Sequence, residues 1–343
     1  MKSNKSKILT NEERRALRRQ IMNSATAFEK ENRRKKYYVV FAAAASLALL
    51  MGLFFYSYDD QKQGLQEFVN KTPRVDPKTQ SEVTVVLGDG ENIPIDSNNT
   101  VQYSPNGANV ILGKGKTFNQ ETLIDKKPIY NTIIVPYGKK SDVLLSDGTR
   151  VWINSGSKLI YPAVFNGENR EVYLEGEAIF DVAHNAEKPF KVLSKNQEIE
   201  VLGTIFNVSA YLEDEQLNTV LKSGSVKITY LEDESKSFKI TPGTLASLNV
   251  KSLIVERRKV DVDDYFGWRD GYLSLKRQPL DYIVAKLSRY YNIEILIFDE
   301  ELSKETFSGK LDLKDDINKV INILNEATKM RVIKDNGKII LTN

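Results

Sequence analysis

The segment Leu145–Pro162, LSDGTRVWINSGSKLIYP, sets the reading of the fold. Its run Thr149–Ile153 is rich in residues that suit a pleated, half-buried surface. Asp147-Gly148 just ahead of it is a turn pair, because glycine accepts positive φ without steric cost. The same pattern extends in both directions. Glu82–Leu87, Glu171–Leu174, Ala178–Val182, Glu198–Leu202, Phe206–Ala210, Thr219–Leu221 and Val226–Tyr230 read as further strands. Asp89-Gly90, Asn166-Gly167, Glu175-Gly176 and Ser223-Gly224 read as turns between them. Many short strands at regular spacing predict an all-β roll or sandwich over residues 81–259.

Part of this region repeats. Leu87-Gly-Asp-Gly-Glu-Asn-Ile93 echoes Leu145-Ser-Asp-Gly-Thr-Arg-Val151, and at the same offset Val101 and Tyr103 match Leu159 and Tyr161. Two similar hairpin units stacked in one β structure account for the echo, and chance similarity of two strand-turn-strand units is the competing account.

Beyond residue 259 the periodicity changes. Tyr272–Leu275 reads as a strand, followed by a helix opened at Pro279 and marked by Leu280, Ile283, Val284, Leu287 and Tyr291, then by strand Ile293–Phe298. The order recurs with strand Thr306–Leu311, a helix through Ile317, Val320, Ile321 and Leu324, and strand Met330–Ile333. A hairpin at Asp335-Asn336-Gly337 adds Lys338–Leu341. Two β-α-β units predict a compact α/β domain over residues 260–343. Residues 59–80, polar and holding Pro73 and Pro77, read as a linker.

Upstream lies a different kind of segment. Tyr37–Tyr56, YYVVFAAAASLALLMGLFFY, carries no charge. As a helix it would be about 30 Å long, the thickness of a bilayer's hydrocarbon core. A transmembrane helix is therefore expected over 37–58. Arg33, Arg34, Lys35 and Lys36 abut its start and form the cytoplasmic flank, which places the N-terminus inside and the C-terminus outside. A cleaved signal peptide would have a shorter apolar stretch and a small-x-small cleavage site, whereas the residues after this one are bulky or charged. A buried core helix is the remaining alternative.

Residues 1–36 hold twelve Lys and Arg against four Glu, while the whole chain has 49 basic and 46 acidic residues. The remainder is therefore mildly acidic, which argues against nucleic acid as its partner. Thr10 and Glu13 resemble a capping box, and Leu17, Ile21, Ala25 and Phe28 form one apolar stripe at helical spacing. So short a segment cannot bury that stripe by itself. A protein groove, the anionic inner leaflet and a solvated linker helix are the three settings that would suit it.

No catalytic constellation emerges. The single histidine, His184, sits in a turn-like stretch and reads as a surface loop residue, and the absence of cysteine removes disulfides and thiolate metal sites. There is no metal-ligand cluster, P-loop or dinucleotide fingerprint, so no cofactor is implied.

The motifs Leu145–Pro162, Arg170–Val182 (REVYLEGEAIFDV), Pro189-Phe190, Val201–Val208 (VLGTIFNV), Leu221–Lys227 (LKSGSVK) and Pro242-Gly243 together resemble the FecR-type anti-sigma factors, in the family's order. The part entered by Trp268-Arg-Asp-Gly271 is similar to the α/β domain that follows many of them, akin to the short signalling domains of secretins and TonB-dependent receptors. The resemblance covers roughly residues 130–343. It implies a transducer in the inner membrane with its C-terminus in the periplasm. There it would sense the signalling domain of an outer-membrane TonB-dependent receptor, and in the cytoplasm it would contact an extracytoplasmic-function sigma factor through Leu17, Ile21, Ala25 and Phe28. The cytoplasmic segment is shorter than the family's usual anti-sigma domain and retains only its final helix, so a single-helix contact is expected. In some members a Gly-Thr bond of the VLGT motif is cleaved by an N-to-O acyl shift. Gly203 would then supply the carbonyl and Thr204 the nucleophile. A bulge glycine beside a strand threonine, with no reaction, explains the same pair. The chain is otherwise not expected to be an enzyme. A membrane-anchored module that grips a glycan or a protein in the envelope is the alternative function, since fold alone does not choose between them.

Overall fold

In a computed structural model of the chain, the described residues are 15, 18, 19, 22, 23, 41, 44–52, 64–72, 76–96, 100–113, 115–124, 127–231 and 233–343. They belong to two compact units, Met1–Gln63 and Gly64–Asn343. In the first unit the described residues are helical, and Phe41, Leu47, Leu49, Leu50 and Met51 are exposed. Among the described residues no helix is long and apolar enough to cross a membrane. Only 41 and 44–52 of the expected span 37–58 are described, which is half of what a crossing needs. Leu17, Ile21, Ala25, Phe28 and the flank Arg33, Arg34, Lys35 and Lys36 lie outside the described residues.

Most of the second unit is β structure. One sheet runs, edge to edge, through Asn92–Ile95, Val83–Val86, Tyr130–Val135, Ser157–Pro162, the first half of Arg170–Asp181, Phe190–Leu193, Gln197–Val201, Val226–Tyr230 and Asp233–Ile240. The other runs through Lys116–Asn119, Asn109–Leu112, Thr100–Tyr103, Ser141–Leu144, Arg150–Ile153, the second half of Arg170–Asp181, Ile205–Ala210, Gln216–Ser223, Thr244–Asn249 and Val255–Lys259. Their inner faces bury one core, which includes Val101, Leu159, Leu174, Phe180, Phe206 and Ile228. Phe180 stacks on Phe206 at 5.1 Å between centroids. The alternation of buried and half-buried residues in Val83–Val86 and Gln197–Val201 is the period-2 signature of sheets with one face on that core.

The long strand Arg170–Asp181 belongs to both sheets, and here the sequence reading needs correcting. Glu175-Gly176 is not a turn between two strands. It is the bend at which one strand leaves the first sheet for the second. Gly176 has φ of 101°, and a Cβ there would stand 2.3 Å from Ser157 Oγ and 2.6 Å from Ser157 Cα. Only glycine meets both demands.

The repeat acquires a spatial meaning. The hairpin Val83–Val86/Asn92–Ile95 lies in the first sheet and its counterpart Ser141–Leu144/Arg150–Ile153 in the second. The following strands are exchanged, with Thr100–Tyr103 in the second sheet and Ser157–Pro162 in the first. The repeat-related tyrosines meet in the core. Tyr103 and Tyr161 share a hydroxyl hydrogen bond of 3.1 Å with rings edge to face, and Asn131 Nδ2 donates to Tyr103 Oη at 3.0 Å. Burial pushes both phenols well above their ordinary pKa.

Helices cover the outer faces. Residues 64–71 form α1, within the stretch expected to be a linker. Leu65 is buried against Ile160 and Tyr173, with Phe68 and Val69 half-buried beside them. On the second sheet sits α2, Asp263–Asp270, whose Tyr265, Phe266 and Trp268 pack on Ile179, Val220 and Leu245.

After Gly271 the chain builds a core of its own. Helices α3 (Leu280–Tyr291) and α5 (Ile317–Thr328) bury Ile283, Leu287, Val320 and Leu324 against Leu273, Ile295, Leu311 and Ile339. Asp316 caps α5 by accepting from the N–H groups of Asn318 and Lys319. A five-residue helix, α4 (Glu300–Lys304), separates the two halves. The element order is the expected one, but the strands flanking each main helix do not pair with each other. Tyr272–Pro279 pairs antiparallel with Thr306–Asp312, whereas Glu294–Ile297 joins Lys338–Thr342 and Arg331–Asp335 in a second small sheet.

Candidate functional site

The feature that stands out is a cluster of buried charges where α3 meets the β sandwich. Glu177, one residue past the bend at Gly176, has its side chain 2 % exposed on the outer face of the second sheet. Its carboxylate accepts from Asn154 Nδ2 at 2.9 Å, from Asn207 Nδ2 at 3.2 Å and from Lys286 Nζ at 3.2 Å. Ser157 fixes the backbone at the same residue, accepting from Glu177 N at 2.9 Å and donating to Glu177 O at 3.2 Å. Every lone pair of the carboxylate that faces the protein thus has a donor, the condition for keeping a charge out of water.

Lys286 and Arg289 stand three residues apart on α3, hence on one face. The Arg289 guanidinium lies over the Tyr211 ring at 3.8 Å from its centroid, donates to Glu213 Oε1 at 3.1 Å and grips Asp214 with two nitrogens. Tyr211 Oη donates to Ser155 O at 2.8 Å, which fixes the ring under the guanidinium. Backbone contacts add to the seam: Gly138 N–H donates to Arg289 O at 2.8 Å, and Lys140 Nζ donates to Trp268 O at 3.1 Å. Burial works against the charged forms of Lys286 and Arg289. The neighbouring groups outweigh it, led by Glu177 for Lys286 and by Tyr211 and Asp214 for Arg289, so both pKa values lie above the ordinary range. Burial raises Tyr282, beside Lys286, to about 12.

This arrangement positions α3 on the sandwich through paired charges and a stacked ring. Among the described residues no group of acidic or histidine side chains could hold a metal. His184 is exposed, as a loop histidine should be.

Gly203 and Thr204 lie between Gln197–Val201 and Ile205–Ala210, at the crossing from one sheet to the other. A Cβ on Gly203 would stand 2.8 Å from His184 Cα, so close backbone approach accounts for the glycine. Thr204 is buried, its hydroxyl donates to Ser225 O at 3.0 Å, and its carbonyl accepts from Val182 N at 3.1 Å. The register shift between Ile205 and Phe206 places a bulge one residue further on. Gly203 is not among the residues with positive φ. The pair therefore has a full packing role at this crossing.

In the sequence Lys286 and Arg289 lie off the apolar stripe of their helix, and Glu177 is one of many carboxylates, so none of the three stands out. Only Gly176 next to Glu177 carried a signal.

Comparison with known proteins bears on both sides of the seam. The family profile described as FecR protein matches residues 131–227, and the profile described as FecR, C-terminal, matches 272–341. Two crystal structures of a proposed anti-sigma factor from Parabacteroides distasonis ATCC 8503, at 2.50 Å and 1.65 Å resolution, superpose with a TM-score of 0.58 at 30% identity. The match covers 62% of this chain and 99% and 98% of those two. The chain belongs to the FecR family of anti-sigma factors. Curated proteins give no significant match. The FecR region supplies Glu177, Tyr211, Glu213 and Asp214, and the FecR C-terminal region supplies Lys286 and Arg289. The seam is the contact between the two family-matched parts, and α2 lies in the interval that neither profile covers.

Proposed function

We propose that this FecR-type protein is a single-pass transducer of the inner membrane. Residues 1–36 lie in the cytoplasm, 37–58 cross the bilayer, and the β sandwich with the C-terminal α/β part lies in the periplasm. The outer part reads the state of a TonB-dependent outer-membrane receptor through that receptor's signalling domain. The stripe Leu17, Ile21, Ala25 and Phe28 contacts an extracytoplasmic-function sigma factor. Family membership carries this reading, because an anti-sigma factor must reach a sigma factor and the basic segment offers the one apolar stripe on its side of the span. The helical, exposed residues Phe41, Leu47, Leu49, Leu50 and Met51 support the anchor, since side chains such as Phe41 at 74% exposure would be costly in water and are at home in lipid. No enzymatic step is assigned to the chain.

The reading predicts capture of a sigma factor by full-length chain solubilised from membranes, and loss of that capture when residues 1–36 are deleted. Equal recovery from both would refute the cytoplasmic contact. Deleting the gene should also change the transcripts that the sigma factor controls; unchanged transcripts would refute the regulatory role.

A further inference from the structure

We propose that the seam between α3 and the β sandwich is an ionic latch, and that the C-terminal part opens there as one body about Gly271 while α2 stays on the sandwich. The two contacts that hold residues 263–343 to the sandwich differ in kind. Tyr265, Phe266 and Trp268 of α2 share an apolar cluster with Ile179, Val220 and Leu245. The part beyond Gly271 closes its hydrophobic core internally, every buried member falling between Leu273 and Leu341. What joins it to the sandwich is polar: Lys286 on Glu177, Arg289 on Glu213, Asp214 and the Tyr211 ring, and the Gly138 N–H on Arg289 O.

Such a seam is bistable where an apolar one is not. Closed, each charge has its partner. Open, each is solvated, and Glu177 keeps the donors Asn154 and Asn207. Desolvation offsets most of the Coulomb attraction of a buried pair, so the two states lie near one another in free energy. A partner needs only a modest differential affinity to shift the balance.

Geometry places the pivot. Gly271 ends α2 at φ of 85°, a conformation that glycine adopts freely. The contacts of α2 with the following strand, Asp264 with the Ser274 hydroxyl and Gly267 under the Tyr272 ring, lie within a few residues of that point and move least. Lys286 and Arg289 sit a strand and a half-helix away, where a rotation opens the seam most.

The role of this latch in signalling rests on the transducer reading above; its existence does not. Hydrogen exchange on full-length protein in detergent micelles tests it. Lys286→Met strands the buried Glu177 without its cation, and the Gly138 amide, which donates across the seam to Arg289 O, should exchange about a hundredfold faster or more. The amides within α2 and within α3 should keep their protection. The double variant Glu177→Gln/Lys286→Met, which removes both charges, should restore the protection of Gly138. Unchanged exchange of Gly138 in Lys286→Met would overturn the latch, as would loss of protection in α2 or α3 or failure of the double variant to recover. Transcription under the sigma factor, measured in cells carrying Lys286→Met, separates the two claims. Faster exchange with unaltered transcription would uphold the latch and remove the relay.

Discussion

Truncating Leu65 should detach α1 from the sandwich without unfolding it. Residues 64–71 are helical, and about two turns of helix have too little intrinsic stability to hold their place on the sandwich unaided. The attachment rests on Leu65, 1% exposed, with Phe68 and Val69 partly covered, against Ile160, Tyr173, Tyr130 and Leu193. Leu→Ala at a buried site costs about 2–5 kcal/mol. A stretch docked through one fully buried anchor has little more than that to lose. Local opening then becomes cheaper than global unfolding, and the cost appears in the helix alone. Hydrogen exchange of full-length Leu65→Ala should show α1 amides exchanging at least about 30-fold faster, the equivalent of 2 kcal/mol. Ser157–Pro162, held between two neighbouring strands, should be unaffected. Unchanged protection of α1 would refute the reasoning. So would loss spread evenly over the sandwich, which would make α1 part of the cooperative core.

Three further outcomes follow from the geometry. Gly176→Ala forces a Cβ into the Ser157 backbone at a positive φ, and the combined strain and overpacking should cost about 3 kcal/mol or more, read as a shift in the denaturant midpoint; a shift below 1 kcal/mol would show that the bend can be rebuilt. Stability should fall as pH rises above about 10, because Tyr103, Tyr161 and Lys286 all have pKa values raised above their unfolded values, so the native state holds their protons after the unfolded chain has released them; thermal melts that stay level between pH 9 and 11 would contradict this. Purified full-length protein should keep one intact mass on long incubation, because the Thr204 hydroxyl is engaged with Ser225 O and Gly203 does not take a positive φ; fragments ending at Gly203 and starting at Thr204 would establish the acyl shift instead.

The sandwich was legible because its physics is local. Val83–Val86 and Val226–Tyr230 are short β-rich runs beside glycine turns, and their alternation survives in the burial. The helices α3 and α5 were legible for the same reason, each with a clear apolar stripe. Gly176 reads as a turn in the sequence because a bend inside a strand and a turn between strands both call for positive φ, and the two differ only in where the next residues pair. The helix α1 escaped notice because three apolar residues in a polar stretch carry almost no periodic signal. The seam was invisible for a stronger reason. Glu177 and Lys286 are 109 residues apart in sequence, and a carboxylate that will be buried looks the same as one that stays in water. The repeat, by contrast, carried long-range information: an offset of 58 residues relates Tyr103 to Tyr161, and those two rings touch.

The account depends most on the bilayer separating residues 1–36 from everything after residue 58. Protease added to intact spheroplasts, with epitopes at both ends of the chain, tests this directly. The account predicts that the C-terminal epitope is destroyed while the N-terminal epitope survives on a short membrane-bound fragment. Survival of the C-terminal epitope beside digestion of the N-terminal one would reverse the sidedness and contradict the proposed path from envelope to sigma factor.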